Sequence, residues 1–589
     1  MRAVDDRWLA AGGFGLTLAL AVALAATPDA TGYEISIYRA YPWYVWALSV
    51  SALLVGSAVV VRSAATGTAA WRYGLLLLLT VVGLLVFLPF VRGYAVFGRA
   101  DVLSHVGFIR DVVTTGHVSD GNIYPNLHLL ALTLAYVTGV APSTALMALA
   151  GVGSLFGVVS LVALLWAALG RRQALLAAPF AVALIAVQSV PYVFSSLLVP
   201  FVLYLFVRER RTRTRRIRAA LVLALFALVI YHPITALFVV LVVAVYGVAR
   251  WLHRHGVLSG TDGTIGPVGT VPLSQLVVAV FAIWYLDFGK IVERIGIVAT
   301  NLAAPGGGSS IQSYSATVAQ YSPALGDVFR IAALRYGPAA VLLPVGGYYA
   351  LTFVADTLRG RDTGGVVRSA FVGAFALFTG LSALFFVVDM LVGFGRPLVY
   401  AELFGVALAG AWFHRLRDRL GSPAAVHAVV YVAVACLLVT TVFGLYASPL
   451  TVGENQQVTE SELAGSEWYL DHRDRQDDLA EFGVETYRFR DAIHGRDSYG
   501  DEQVVTSDTE RIPRGFGYAG NETLGASYTG DTYLILTEAG RQFYPGIYPD
   551  YRGFWKFEPA EFDRLARDPT VSAVYDNGEY DVYRVNATG

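Results

Sequence analysis

A polytopic α-helical membrane fold of about thirteen transmembrane helices, followed by a C-terminal extracytoplasmic domain of α/β or α+β type, is what three features of the sequence predict. The first is composition. Of 589 residues, 56% are hydrophobic and 15% charged, whereas soluble domains carry about 25% charged residues. The second is a recurrence of apolar runs over the first three-quarters of the chain, among them Gly74–Phe90, Ser143–Leu169, Ser369–Val388 and Ala424–Tyr446. Each is long enough to span a bilayer. The third is a division of charge: from Ala447 onward there are 27 Asp and Glu against 13 Lys and Arg, leaving 17 acids and 30 bases before it. Residues 1–446 therefore read as a multispanning membrane domain and 447–589 as an acidic soluble domain.

The expected spans lie near 8–26, 41–61, 73–91, 143–169, 174–190, 193–207, 219–231, 234–250, 272–289, 336–356, 369–388, 397–413 and 424–446. The first resembles a signal peptide in length, but a second apolar run follows a short loop and no cleavage motif is evident. Orientation comes from arginine. "RERRTRTRRIR" (Arg208–Arg218) holds seven in eleven residues and is expected to be cytoplasmic. Arg62 with Arg72, Arg171 with Arg172, Arg359 with Arg361, and Arg415 with Arg417 and Arg419 fall on that side too. The N-terminus is then cytoplasmic, the whole of Arg92–Pro142 lies outside with Asn126–Val140 dipping back or lying on the surface, and the C-terminal domain is outside as well. The protein is expected in the plasma membrane.

"LFALVIYHPITALFVVL" places His232-Pro233 between two short apolar segments. Proline has no N–H to donate, so a helix ends or kinks there, and irregular backbone at membrane depth faces protein or a water-filled cavity. The loop Lys290–Tyr336, with "APGGGSSIQSYSATVAQYS", suits a lid or an ordinary flexible loop equally. In the tail, "SAVYDNGEYDVYRV" reads as a hairpin turning at Asn577-Gly578, and "EPAEFDRLARDP" as a short helix after Pro559. Asn521-Glu522-Thr523 and Asn586-Ala587-Thr588 are glycosylation sequons. Cys436 is the single cysteine and sits in an apolar run, which excludes disulfides within the chain and thiolate metal sites. The arginine run suits lipid headgroups rather than nucleic acid.

"GRADVLSHVGFIRDVVTTGHVSDGNIYPNLHLL" (Gly98–Leu130) concentrates ionisable groups between apolar runs. Asp101 and His105, four apart, share a helix face, while Val102, Val106, Ile109 and Val113 form an apolar stripe. This predicts a helix lying on the membrane and ended by Gly116, its acid and imidazole facing water. Tyr124-Pro125 then makes a rigid turn before His128.

The order of acid, surface helix, glycine, "YP..H.L...L....G..P" and a long span resembles the first external loop of the C-superfamily (GT-C) glycosyltransferases, multispanning enzymes that use polyprenyl-phosphate-linked sugars. The resemblance covers roughly Gly93–Gly410 by order of features. It implies that Asp101, the acid that opens the loop, is the catalytic base or a metal-linked acid. It likens Tyr124–His128 to the "PPLH" segment of bacterial members, Tyr231-His232-Pro233 to their "KGP" helix break, and Arg396 in "GFGRPLVYAELFGVALAG" to the arginine that binds the lipid phosphate. The second acid of many members has no counterpart in "VQSVPYVFSSLLVP" (Val187–Pro200), which leaves Glu34, Asp120 and Asp389 as alternatives. The member the chain most resembles is an archaeal dolichyl-phosphate-mannose mannosyltransferase of protein N-glycosylation. The "WWD" signature of oligosaccharyltransferases is absent.

The chemistry is consistent with that resemblance. A departing lipid phosphate calls for a cation, and the planar fork of arginine suits phosphate, although Arg396 equally suits an interface anchor. An acceptor hydroxyl calls for one base in hydrogen-bond reach; Asp101 fills that role or simply caps its helix. His105, Tyr124, His128 and His232 are candidates to hold sugar or phosphate. Asp101 with His105 is a candidate pair for a divalent cation such as Mg or Mn. His232 also suits satisfaction of the kink's free carbonyls, and His117 and His128 suit ordinary loop positions. The expected partners are a dolichyl-phosphate-linked sugar, a glycan acceptor on lipid or glycoprotein, and membrane lipids, with no nucleic acid. The competing class is a transporter or flippase of lipid-linked sugars, which would show internal repeats and polar groups at mid-membrane. No repeat is evident, and the ionisable groups gather at one face.

Overall fold

The computed structural model describes residues 6–260, 271–286, 289, 292–293, 296–297 and 323–588, apart from 363, 389–391, 421–422, 498–510 and 521. Among these residues, eight helices are long and apolar enough to cross a membrane, and Trp71–Val86 and Leu273–Tyr285 are shorter apolar helices. The chain is a polytopic α-helical protein with a C-terminal region built on small sheets.

Helices α1 (Asp6–Ala25), α2 (Trp43–Thr66) and α3 (Trp71–Val86) pack as a unit, each touching the other two. Glycine sets the α2–α3 distance: a Cβ on Gly74 would lie 2.8 Å from the Gly56 carbonyl. Small residues are how helices approach closely where lipid supplies no hydrophobic drive between them. Between α3 and the long α6 (Pro142–Leu169) come two shorter helices, α4 (Asp101–Thr115) and α5 (Pro125–Thr138). The rest of the helical body is α7 (Arg171–Ala177), α8 (Pro191–Thr212), α9 (Arg215–Tyr231), α10 (Pro233–Arg254), α11 (Val271–Tyr285), α12 (Leu325–Arg335), α13 (Gly337–Leu358), α14 (Val366–Val387), α15 (Gly395–Leu420) and α16 (Pro423–Gly444).

The structure departs from the expected helix over 174–190. The α-helix stops at Ala177, a 3-10 stretch runs over Ala178–Leu184, and Ile185 onward is extended. The segment still joins the two ends of the body. Arg171 donates to the carbonyl of Thr68 at the arginine-rich end, whereas Gln188 contacts Gln456 at the other. Residues 174–182 are all buried, so this part of the segment faces protein, a setting in which irregular backbone is tolerated at such depth.

The C-terminal region carries a four-stranded sheet in the order β3 (Asp478–Phe482), β4 (Thr532–Thr537), β6 (Tyr580–Val585), β5 (Val571–Asp576). The β3–β4 pair is parallel and the others antiparallel, with Asn577-Gly578 turning β5 into β6 and Gly578 at φ 89°. Successive side chains on a strand point to opposite faces, and both faces are covered over β3, β4 and β6, while the edge strand β5 is mostly exposed. Leu479, Tyr533, Ile535 and Val582 join a core with α17 (Glu460–His472) and α18 (Thr486–His494). Ala480, Leu534, Leu536 and Val585 join another with α19 (Glu538–Ile547) and α20 (Pro559–Leu565). All of β4 is consequently buried.

This region is stitched to the helical body by a two-residue antiparallel ladder in which Val96 pairs with Val458 and Phe97 with Gln457, forming β1 (Val96–Phe97) and β2 (Gln457–Val458). Beside it, the Arg99 guanidinium donates to both Glu462 oxygens at 2.7 and 2.8 Å and to the Gly483 carbonyl at 3.1 Å. Helix α4 does not leave the face of its acid and imidazole open to water as expected. It is sandwiched between α18 and the pair α5 and α6, and a Cβ on Gly107 would collide with the Asp491 backbone.

Candidate functional site

The rim acid begins at a strained residue. Ala100, which precedes α4, sits at φ 52°, ψ −118°, a region that costs a non-glycine residue about 1–3 kcal/mol. Asp101 opens the helix with its side chain 73% exposed, paired at 2.8 Å with Arg488 of α18. Arg488 also donates to Ser104 Oγ at 2.8 Å, and that hydroxyl donates to the buried Asp491 at 2.6 Å. Arg496 donates to Ser104 Oγ at 3.1 Å and to Asp491 at 2.5 Å. Asp111 accepts the backbone N–H groups of Arg496 and Asp497.

One turn on, His105 is buried rather than facing water. Its Nδ1 lies 3.0 Å from His128 Nε2, and His128 Nδ1 lies 2.8 Å from Asn122 Oδ1. Across the imidazole–imidazole contact one ring donates and the other accepts, so the two rings and the Asn122 amide form one hydrogen-bonded relay. Burial pushes His105 down to about 4, opposed by Asp101 and assisted by Arg496 and Arg488, and burial likewise pushes His128 well below the ordinary range. Both rings are neutral at neutral pH.

The helix break falls at His232 as expected. Helix α9 ends at Tyr231, His232 is extended (φ −167°, ψ 130°), and α10 starts at Pro233. The His232 ring stacks on Tyr124, centroids 5.2 Å apart at 22°, and meets the edge of Tyr192 at 5.2 Å and 71°. The Arg396 guanidinium lies 4.8 Å over the Tyr192 ring, and the Tyr192 hydroxyl donates to the Arg396 carbonyl at 2.9 Å. Among the described residues Arg396 has no ion pair. Among the described residues His232 Nδ1 is buried without a partner.

The structure thus pairs His105 with His128 one turn after Asp101, joins Tyr124, His232 and Arg396 through Tyr192, and places Glu34 in a different set of contacts. The Glu34 carboxylate accepts from Arg92 Nε at 3.0 and 3.1 Å and from the Tyr94 hydroxyl at 2.7 Å, in the joint with Asn455 and Gln457. Asp120 and His117 are exposed in the turn after α4. Asp389 and most of the loop Lys290–Tyr336 lie outside the described residues. Three contributors were missed in the sequence. Tyr192 was legible only as an aromatic after Pro191, and Arg488 and Arg496 sat in a tail read as acidic. Asp101 and His105 do not form a cation cradle in this arrangement, because the acid is turned to Arg488 and the imidazole to His128. Among the described residues no three His, Cys, Asp or Glu side chains converge as metal ligands.

No protein-family model matches the chain, and no curated protein sequence matches it. Solved structures similar to it include ArnT from Cupriavidus metallidurans bound to undecaprenyl phosphate, at 12% identity over 88% of this chain and 99% of that chain, TM-score 0.47. The apo state of that protein aligns at 14% identity, 89% and 98% coverage and TM-score 0.46. The archaeal oligosaccharyltransferase AglB from Archaeoglobus fulgidus, in complex with an inhibitory peptide and a dolichol-phosphate, aligns at 12% identity, 81% and 72% coverage and TM-score 0.43.

Proposed function

We propose that this chain is a membrane glycosyltransferase of the GT-C type that moves a single hexose, mannose in its most specific form, from dolichyl phosphate to a glycan on lipid or protein. The observation that supports it most is the Arg396 guanidinium seated on Tyr192 beside the His232-Pro233 break. A guanidinium on an aromatic face keeps its in-plane N–H donors free for phosphate oxygens. In this reading Asp101 takes the proton of the acceptor hydroxyl, whose oxygen bonds the sugar's anomeric carbon. The bond from that carbon to the phosphate oxygen breaks, and dolichyl phosphate leaves with its charge met by Arg396. Direct displacement needs one base, so a second acid is not required. The rim and the C-terminal region face the cell exterior.

The test is transfer from labelled dolichyl-phosphate mannose to surface glycans in membranes, comparing wild type with Asp101→Asn and Arg396→Gln at matched protein levels. Loss of transfer with Asp101→Asn in a folded protein supports both the enzyme and its base. Equal transfer by wild type and Asp101→Asn removes Asp101 from the role, and absence of transfer by wild type removes the donor.

A further inference from the structure

We infer that Glu402 and the cavity it lines form a sugar-ring subsite, in which the carboxylate accepts hydrogen bonds from pyranose hydroxyls; this deepens the glycosyltransferase reading and rests on it. Glu402 lies on α15, six residues after Arg396, about 9 Å along the helix axis at 1.5 Å per residue. It lines two adjoining cavities, of about 390 Å3 and about 180 Å3, whose shared wall includes Ala183, Ile185 and Val193. The carboxylate is therefore at their junction.

Among the described residues Glu402 has no hydrogen bond and no ion pair. The carboxylate lines both chambers and is half-buried, no packing partner explains its presence there, and ionisable groups within helical membrane bodies mark substrate paths. A second observation falls in the same cavity. Among the described residues Thr441 Oγ1 is buried without a partner, and it lines the larger chamber together with Gln188, Gln456, Arg335 and Phe97. A carboxylate, a free hydroxyl, two amides and an aromatic ring are the complement a polyhydroxylated ring requires: acceptors and donors around its rim and an apolar face for its C–H groups. The chamber's volume lies within the range of small-molecule sites, roughly 300–1,000 Å3.

The smaller cavity is lined by Tyr192, the residue under Arg396. A phosphate held at Arg396 and a ring held at Glu402 are thus adjacent through Tyr192. The ring belongs either to the lipid-linked donor or to the glycan acceptor; both present the same hydroxyl chemistry.

The experiment uses the full-length protein in detergent, measuring Kd for dolichyl phosphate and for dolichyl-phosphate mannose, and KM for the glycan acceptor. Wild type is compared with Glu402→Leu, Glu402→Gln and Thr441→Val. If the donor supplies the ring, the sugar-bearing lipid binds wild type about tenfold tighter than the bare lipid, the gain expected of one or two net hydrogen bonds. Glu402→Leu loses that gain while its Kd for dolichyl phosphate stays unchanged, with Glu402→Gln and Thr441→Val intermediate. If the acceptor supplies it, both donor affinities are unchanged and the acceptor KM rises about tenfold in Glu402→Leu. An unchanged sugar gain together with an unchanged acceptor KM overturns the subsite while dolichyl phosphate binding keeps the broader reading. Equal weakening of bare and sugar-bearing lipid also overturns it. Failure of wild type to bind either lipid overturns the subsite and the glycosyltransferase reading together.

Discussion

The Arg488 guanidinium closes on Asp101 Oδ1 at 2.8 Å, so the candidate base near the start of the chain is held by a cation from near its end. Arg488 bonds Ser104 at the same time, and Ser104 bonds the buried Asp491. One arginine therefore fixes the acid relative to the first turn of its own helix.

Arg488 is a positioning residue. Because the Asp101 side chain is mostly exposed, the pair itself contributes no more than about 1 kcal/mol. Arg488→Gln is expected to lower the thermal midpoint only slightly while reducing transfer about tenfold, as an unfixed base does. Arg488→Lys should restore part of the rate. A midpoint that falls in step with activity, with no rescue by lysine, refutes the positioning role.

Ala100 supplies a second prediction. Glycine adopts φ 52°, ψ −118° with far less strain than alanine. Ala100→Gly should raise stability by up to about 1 kcal/mol while loosening the start of α4 and slowing transfer. Chemical denaturation and initial rates on one preparation would separate the two effects; a loss of stability would show that Ala100 is not strained.

Gly107 tests the docking of α18 on α4. In an open helix interior, glycine to alanine gains about 1 kcal/mol, and Gly15→Ala, with nothing near its Cβ, should show that gain. At Gly107 the new methyl meets the Asp491 backbone, so Gly107→Ala should destabilise instead. Thermal midpoints moving in opposite directions are the expected result.

The imidazole pair sets an acid limit. Burial holds His105 down to about 4, against an unfolded value near 6.5. The unfolded chain therefore binds a proton that the folded site refuses. Stability is complete above about pH 6.5 and declines as pH falls toward 4, by about 3 kcal/mol at about 1.4 kcal/mol per unit. His128, shifted the same way, adds to the decline. His105→Gln should flatten this limb in pH-dependent denaturation; an unchanged slope would remove the pair from the cause.

At the helix break, Tyr192→Phe keeps the ring under Arg396 and loses one hydrogen bond, whereas Tyr192→Ala removes the seat itself. A guanidinium over a desolvated ring is worth about 1–2 kcal/mol. Tyr192→Ala should therefore raise the donor KM about tenfold, with Tyr192→Phe close to wild type. Arg396→Lys, which keeps charge but loses the planar fork, should fall nearer to Tyr192→Ala.

The sequence disclosed features whose cause is local. The His232-Pro233 break, the Asn577-Gly578 hairpin and the helix after Pro559 each follow from one residue's backbone constraint, and all three are present. The long apolar helices were legible because length and hydropathy suffice. What stayed hidden depends on contacts between distant parts. Residues 174–190 are apolar enough for a span, yet enclosure by protein permits 3-10 and extended backbone there. The stripe on α4 was read as facing lipid because a sequence shows an apolar face without showing that Phe489 and Ile493 join the core covering it. Glu34 looked available as an acid because Arg92, its partner, lies 58 residues away.

The ladder joining Val96 and Phe97 to Gln457 and Val458 also orders events during synthesis. Contacts across such a separation form only after both segments exist. The apolar helices can insert as they emerge, but Asp101, Ser104 and Asp111 lack their C-terminal partners until residues 457–497 have been made. A chain stopped after α16 would keep the helices and lack Arg488, Arg496 and Asp491. Full competence of this site is therefore reached only near the end of translation, and an incomplete copy in the membrane lacks the contacts that fix its rim.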